Sequence, residues 1–256
     1  MKTVFITGAT EGIGLAFARL FAAPDCHLIL VARNEQKLQE IATELTARGS
    51  QVTYYAKDLS TPGNAQGIYE DIKQKGFQVD DLINNAGFGI DAPFISHEWE
   101  RERQMLQLNM LTVAYFTQNF ARDMVAAGSG RILNVASIAA FQPGPYMAGY
   151  CATKSFVLSL SQAVHYELRK SGVTVTALCP GVTDTKFHDV AQSHGTGMTR
   201  FMSHATPEQV AAFGYRAMMK GKPVAIYGAA NRFTVFALRF LSRKIWVATA
   251  ARLLRK

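Results

Sequence analysis

Short hydrophobic runs alternate along the chain with longer stretches whose apolar residues recur at steps of three and four. The runs "KTVFIT", "HLILVA", "QVTYYA", "DLINNA", "RILNVAS", "VTVTALC" and "PVAIYG" are rich in Val, Ile, Leu, Thr and Tyr and predict seven short strands. Between them, Arg33 to Arg48, Arg101 to Ala127 and Tyr150 to Ser171 have helical spacing. In the last of these Phe156, Val157, Leu160, Ala163, Val164 and Leu168 form one apolar stripe. Strands separated by helices need right-handed crossovers. The pattern therefore predicts an α/β fold, a doubly wound parallel seven-stranded sheet covered on both faces. No Pro/Gly/Ser-rich linker interrupts it, so residues 1–256 read as a single domain. The least regular part, about 183–206, would be a long loop at the C-terminal ends of the strands, where a substrate lid would sit. His188, His194 and His204 fall there at spacings that match no compact metal motif, and no metal is expected.

Hydrophobic residues make up 48% of the chain and charged residues 18%. With a mean hydropathy of +0.03, that composition excludes a disordered chain and supports a substantial core. The first strand starts at Thr3, which leaves no room for a signal peptide, so secretion is not expected. Cys26, Cys151 and Cys179 form no CxxC pair and suit free thiols in a reducing cytoplasm, with Cys151 expected to be partly accessible beside Tyr150.

The net charge of +8 suggests a nucleic-acid partner until its distribution is read. Gln209 to Lys256 hold ten Lys or Arg and no Asp or Glu, whereas the other 208 residues hold 17 basic and 19 acidic side chains, a net of −2. The basic character is local to this C-terminal segment, which ends in a basic tail at about 230–256, and no nucleic-acid surface is expected. The tail "NRFTVFALRFLSRKIWVATAARLLRK" has no apolar run near the length of a membrane span. On a helical wheel Arg232, Arg239 and Arg243 cluster while Lys244, Arg252 and Arg255 fall on another side, so two short helices fit better than one. A packed terminal helix, a subunit contact and peripheral attachment to anionic lipid are all open for it.

The turn "TGATEGIG", Thr7 to Gly14, joins the first strand to the apolar "LAFARLF". Glycines there let the backbone turn tightly and approach a pyrophosphate held at the N-terminus of the next helix. The spacing Gly8, Gly12, Gly14 differs from GxGxxG and lacks the GK[ST] of a Walker A loop. At the end of the second strand an acidic residue would suit the ribose of NAD, and a cation the 2′-phosphate of NADP. Ala32, Arg33 and Asn34 stand there, which favours NADP(H) over NAD(H), although the charge of Glu11 opposes a nearby phosphate. Further on, "YCATK" sets Tyr150 and Lys154 four residues apart, on one helix face. A cation beside a phenol, with its free pKa near ~10, would stabilise the phenolate. The pair alone also fits an ordinary solvated helix.

Taken in order, "TGATEGIG", "NNAG" at Asn84 to Gly87, Asn109 in "LQLNMLT", Ser137 in "NVAS", the Tyr150/Lys154 pair and "PG" at Pro180 and Gly181 resemble the short-chain dehydrogenase/reductase family over Thr3 to Thr185. The resemblance implies an NADP(H)-dependent oxidoreductase. Tyr150 would be the general acid in carbonyl reduction and the base in reverse. Lys154 would lower its pKa and bond the nicotinamide ribose, Ser137 would hold the substrate oxygen, and Asn109 would steady a water chain behind the lysine. Gly8, Thr10, Glu11, Gly12, Ile13 and Gly14 would form the phosphate turn, with Asp58 and Leu59 at adenine and Asn85, Ala86 and Gly87 along the cofactor. Pro180, Gly181, Val182 and Thr183 would cradle the carboxamide, with Thr185 near the phosphates. The family resemblance also implies a homodimer or homotetramer built on the helices from Arg101 and from Tyr150.

Ile138, Phe141, Pro143, Pro145 and Met147, with Phe187, Met198, Phe201 and Met202 from the lid, predict apolar cleft walls and a hydrophobic carbonyl compound or alcohol rather than a sugar. "NNAGFG" and "SIAAFQPGPYMAGYCATKSF" resemble bacterial relatives of hydroxysteroid and long-chain ketoacyl reductases. Carrier-protein ketoacyl reductases are the alternative; their acidic carrier would need a basic patch near the cleft. The non-enzyme alternative is a dinucleotide-binding regulatory protein, which would be free to lose Tyr150, Lys154, Ser137 or Asn109. None is lost.

Overall fold

Each strand-forming run of the sequence becomes a strand. The computed structural model describes residues 1–183, 205–240 and 242–254. β1 (Lys2–Thr7), β2 (Cys26–Ala32), β3 (Gln51–Ala56), β4 (Asp81–Asn84), β5 (Gly130–Val135), β6 (Val173–Cys179) and β7 (Val224–Ile226) form one seven-stranded sheet in the order β3-β2-β1-β4-β5-β6-β7. Every pairing in it is parallel. The helices are α1 (Gly12–Phe21), α2 (Glu35–Ala47), α3 (Asn64–Gln74), α4 (Trp99–Leu106), α5 (Val113–Ala127), α6 (Ala148–Glu167), α7 (Pro207–Met219), α8 (Ala229–Ala237) and α9 (Arg243–Leu254).

Successive side chains of a strand leave opposite faces of the sheet, and here both faces are dry. Val4 and Ile6 enter one core with Leu28, Leu30, Ile83 and Leu133, under α1, α2 and α7. Phe5 enters the other with Ile29, Val31, Leu82 and Ile132, under α3 and α5. Its ring lies 5.0 and 5.1 Å from those of Phe116 and Phe120. Each such ring contributes about 1.5–3 kcal/mol through burial. The strand order reverses between β1 and β4, and in an open α/β sheet the crevice at the carboxyl ends of two such strands is where a ligand binds. The turns at Gly8 and at Asn85–Gly87 flank that crevice.

Two helices differ from expectation in ways that concern the site. The helix expected from Arg101 to Ala127 is interrupted by a π-helical segment, Gln107–Thr112, between α4 and α5. Such wider turns collect at functional sites, and this one buries Asn109. On α6 the expected apolar stripe is only partly the buried face. Ala163 is exposed and Phe156, Leu160, Val164 and Leu168 are half-buried, while Tyr150, Cys151, Thr153, Lys154, Val157, Leu158 and Ser161 face inward.

Polar residues can occupy this face because they are bonded. Asn134 Nδ2 on β5 donates to Ser161 Oγ at 2.9 Å, and Asn134 Oδ1 accepts from Asn84 Nδ2 at 2.9 Å and Thr117 Oγ1 at 3.3 Å. This network fixes α6 against β4, β5 and α5. Cys151 is buried rather than partly accessible, because its sulfur lies directly beneath Gly144.

Candidate active site

The crevice is built from glycine conformations and cross-strand hydrogen bonds. Gly8 and Gly12 have φ of +66° and +53°, the left-handed region that favours glycine. A Cβ on Gly14 would collide with the Gly8 carbonyl and the Asn85 amide, so α1 presses close against the end of β4. Asn85 Nδ2 donates to the carbonyls of Thr7 and Gly8 at 3.0 and 3.2 Å, and the backbone N–H groups of Asn85 and Ala86 donate to Thr7 Oγ1 at 2.9 and 3.0 Å. These bonds tie the two turns together. The N-terminus of α1 has no side-chain cap, which leaves its positive end available to an anion. Thr10 and Ile13 are half-buried on this turn. Glu11 pairs with Lys37 on α2, which offsets the charge expected to oppose a phosphate.

Arg33 is exposed just past β2, followed by Asn34, whose side chain caps α2 by accepting from Lys37 N at 3.0 Å. Arg101 on α4 lies over the Phe88 ring, 4.1 Å from its centroid. Burial lowers the Arg101 pKa, Arg33 adds to the lowering and Asp58 opposes it, so two guanidiniums and one carboxylate share this edge. Asp58 Oδ1 accepts from Ser60 N at 2.9 Å and Ser60 Oγ at 2.7 Å, and the buried Leu59 accepts from Thr112 Oγ1 at 2.9 Å through its carbonyl. This arrangement fits a dinucleotide: a tight glycine turn, an open helix N-terminus and cations at the far edge.

Asn109, Ser137, Tyr150 and Lys154 are all buried at the inner end of the crevice. Lys154 Nζ donates to Val135 O at 2.8 Å and lies 5.8 Å from the Tyr150 ring centroid. Asn109 Nδ2 donates to Phe88 O at 2.8 Å and to Thr153 Oγ1 at 3.1 Å, while its Oδ1 accepts from Phe88 N at 3.1 Å. Thr153 Oγ1 in turn donates to Tyr150 O at 2.7 Å. Asn109 thus joins the segment after Gly87 to the helix that carries the tyrosine. A Cβ on Gly87 would lie 3.0 Å from Asn109 Oδ1 and 3.5 Å from Lys154 Nζ, so a larger residue would crowd Asn109.

Burial pushes the Tyr150 phenol above its ordinary value, and a hydrogen bond with Ser137 works against that rise. Burial lowers Lys154 to about 8. Desolvation disfavours the charged form of both groups, so each is shifted toward its neutral form. The Cys179 thiol at the end of β6 is pushed up to about 12 by burial and stays neutral.

Pro180 O accepts from Ile138 N at 3.0 Å, Val182 O accepts from Ala205 N at 3.2 Å, and Thr183 Oγ1 donates to Gly181 O at 3.2 Å. Thr185 and residues 184–204 of the expected lid, with Phe187, Met198, Phe201, Met202 and the three histidines, lie outside the described residues. Of the expected walls, Ile138, Phe141, Pro145 and Met147 are half-buried and Pro143 is exposed; Met147 packs with Phe88, Met105 and Tyr150. Among the described residues no group of His, Cys, Asp and Glu could hold a metal ion.

Three contacts were not readable in the sequence. Glu102 is buried, receives His97 Nε2 at 2.8 Å and lies against Gly149, immediately before Tyr150. Asn231 on α8 packs on Gly181. Trp246 Nε1 on α9 donates to Gln142 Oε1 at 2.5 Å. Glu102 looks like Glu100 in the run "WERERQ", and only the tertiary fold separates the buried carboxylate from the solvated one.

The family model described as short chain dehydrogenase matches residues 2–194. Over 210 residues the chain is 32% identical to a Streptomyces violaceoruber protein that carries the name of ketoacyl reductase 1 of the granaticin polyketide synthase, covering 80% of this chain and 76% of that one. A short-chain dehydrogenase from Sphingobium yanoikuyae in complex with NADPH is similar with a TM-score of 0.83 at 29% identity, over 94% of each chain. A short-chain dehydrogenase/reductase from Burkholderia phymatum in complex with NAD gives 0.82 at 25% identity, over 92% of each.

Proposed function

Because the chain belongs to the short-chain dehydrogenase family of oxidoreductases, we propose that it exchanges a hydride between NADP(H) and a hydrophobic carbonyl compound or alcohol, with Tyr150 as general acid and base. The observation that carries this reading is the convergence of Ser137, Tyr150 and Lys154 in one buried site beside Gly87, at the inner end of a glycine crevice. NADP(H), when bound, supplies or takes the hydride. In the direction of reduction Tyr150 Oη gives its proton to the substrate oxygen, which Ser137 Oγ holds in place. Lys154, aimed by its bond to Val135 O, stabilises the phenolate left behind. Asn109 keeps the end of β4 and the tyrosine helix in register.

The glycine turn with Thr10 and Ile13, together with the open end of α1, would hold the pyrophosphate, while Asp58 and Leu59 would flank the adenine. Asn85 to Gly87 and Pro180 to Thr183 would line the nicotinamide half. Arg33, with Arg101 beside it, supports NADP(H); one similar structure holds NADPH and another NAD. The half-buried Ile138, Phe141 and Met147 support an apolar substrate. A second reading, a 3-oxoacyl reductase, is favoured by the name of the Streptomyces relative. Exposed Leu111, Val125 and Tyr166 support self-association through the π segment, α5 and α6, and three buried free thiols support a cytoplasmic setting.

Energy transfer from tryptophan to reduced nicotinamide, titrated with NADPH and with NADH, tests the cofactor assignment. A charge-assisted contact predicts NADPH tighter by about 10–100-fold, and Arg33→Ala should remove most of that preference. Equal affinities would remove the preference for NADP(H), tighter binding of NADH would reassign the cofactor to NAD(H), and failure to bind either would overturn the reading.

A further inference from the structure

Past β7 the chain carries a surface that the proposed reaction does not use. α8 and the 3-10 turn Leu238–Phe240 expose Phe233 at 72%, Phe236 at 55% and Phe240 at 74%. The rings of Phe236 and Phe240 meet edge to face with centroids 5.3 Å apart, so they share one side. Arg232 and Arg239 are exposed on the same helix and turn, about 20° apart on a wheel of about 100° per residue and adjoining Phe236. On α9 Lys244 and Arg252 are exposed as well. No Asp or Glu occurs from Gln209 to Lys256, so nothing in this segment neutralises these cations.

This face is anchored at the candidate active site. Asn231 packs on Gly181, α8 lies against the turn Ile138–Phe141, and Trp246 holds Gln142. Those partners directly follow Ser137 and Pro180.

We propose that α8, the turn after it and α9 form a docking face for the surface of an anionic lipid bilayer, set at the rim of the active site so that a membrane-dissolved hydrophobic carbonyl compound enters from the lipid. Delivery from lipid rests on the reductase reading above; docking does not. Aromatic rings beside arginines match the acyl–headgroup boundary, which offers apolar depth and negative charge together. A second copy fits less well, because a two-fold contact would bring together two faces of like positive charge with no Asp or Glu in the segment to offset them. Among the described residues no helix is long and apolar enough to cross a membrane.

The test is flotation of the full chain with vesicles of phosphatidylcholine, with and without roughly 30% phosphatidylserine, at low and high salt, with NADPH titrated on the same samples. The parent chain should float with the anionic vesicles at low salt and release at high salt. Arg232→Ala with Arg239→Ala, or Phe233→Ser with Phe236→Ser and Phe240→Ser, should weaken flotation at least about tenfold while leaving NADPH affinity and melting temperature unchanged. No flotation of the parent with anionic vesicles, or equal flotation of the variants, would overturn docking. So would variants that lower self-association in sedimentation without changing flotation, since that would give the face to a second copy. Flotation without NADPH binding would sink the reductase reading and leave docking standing.

Discussion

Under the sheet, Phe116 and Phe120 lie buried against Phe5, whereas beyond β7 Phe233, Phe236 and Phe240 stand in solvent. Charge divides the same way. In the first region Arg19 and Arg48 share Glu44, Lys73 reaches Asp123, Lys75 reaches Asp71 and Lys37 reaches Glu11. In the last, Arg232, Arg239, Lys244 and Arg252 face outward from a segment without a carboxylate. Exposed ion pairs add little stability, but their pairing marks a surface completed within the chain. The tail instead presents rings and cations together with no Asp or Glu beside them in the segment, the pattern on which the proposed docking face rests.

If the sheet region carries the stability, Phe120→Ala should cost about 3–5 kcal/mol by leaving a cavity between α5 and β1. Urea unfolding would read this directly, and a cost below about 1 kcal/mol would mean that the core is not where the burial puts it.

A smaller effect is expected at His27, buried on β2 with Nε2 2.9 Å from Thr53 Oγ1 and its ring against Phe77. Burial lowers its pKa below the ordinary 6.5. Below that value the unfolded chain binds more protons than the folded one. The stability His27 contributes is therefore complete above about 6.5 and is lost as pH falls through the folded-state pKa. The urea midpoint should drop between about pH 7 and pH 5, and His27→Gln should flatten that drop; an unchanged slope would assign the acid sensitivity to other groups.

The smallest effect should come from Phe236→Ser, within about 0.5 kcal/mol of the parent despite the loss of a whole ring. A cost near that of Phe120→Ala would make the tail part of the core and remove the contrast.

The sheet and most of the site were legible because they depend on local chemistry. β-branched runs specify strands, and the glycine turn requires backbone shapes that Gly8 and Gly12 adopt. Tyr150 and Lys154 needed only helical spacing to meet. What stayed hidden depends on partners distant in sequence. The π segment holds Asn109 at its bonds to Phe88 and Thr153, distant in sequence, and the inward face of α6 includes Ser161 because Asn134 bonds it there. The phenol was expected to be lowered by its lysine, but spacing says nothing of how deeply both groups are buried. Glu102, Asn231 and Trp246 become site neighbours only once α4, α8 and α9 have packed.

The most direct measurement is the rate of NADPH oxidation against hydrophobic ketones and 3-oxoacyl thioesters by the parent chain and by Tyr150→Phe, with NADPH affinity measured in parallel. General acid catalysis by Tyr150 predicts turnover lower by roughly 10²–10⁴-fold with affinity unchanged. A variant that bound NADPH normally and turned over within about threefold of the parent would contradict the account, because a proton donor would then have to be found elsewhere.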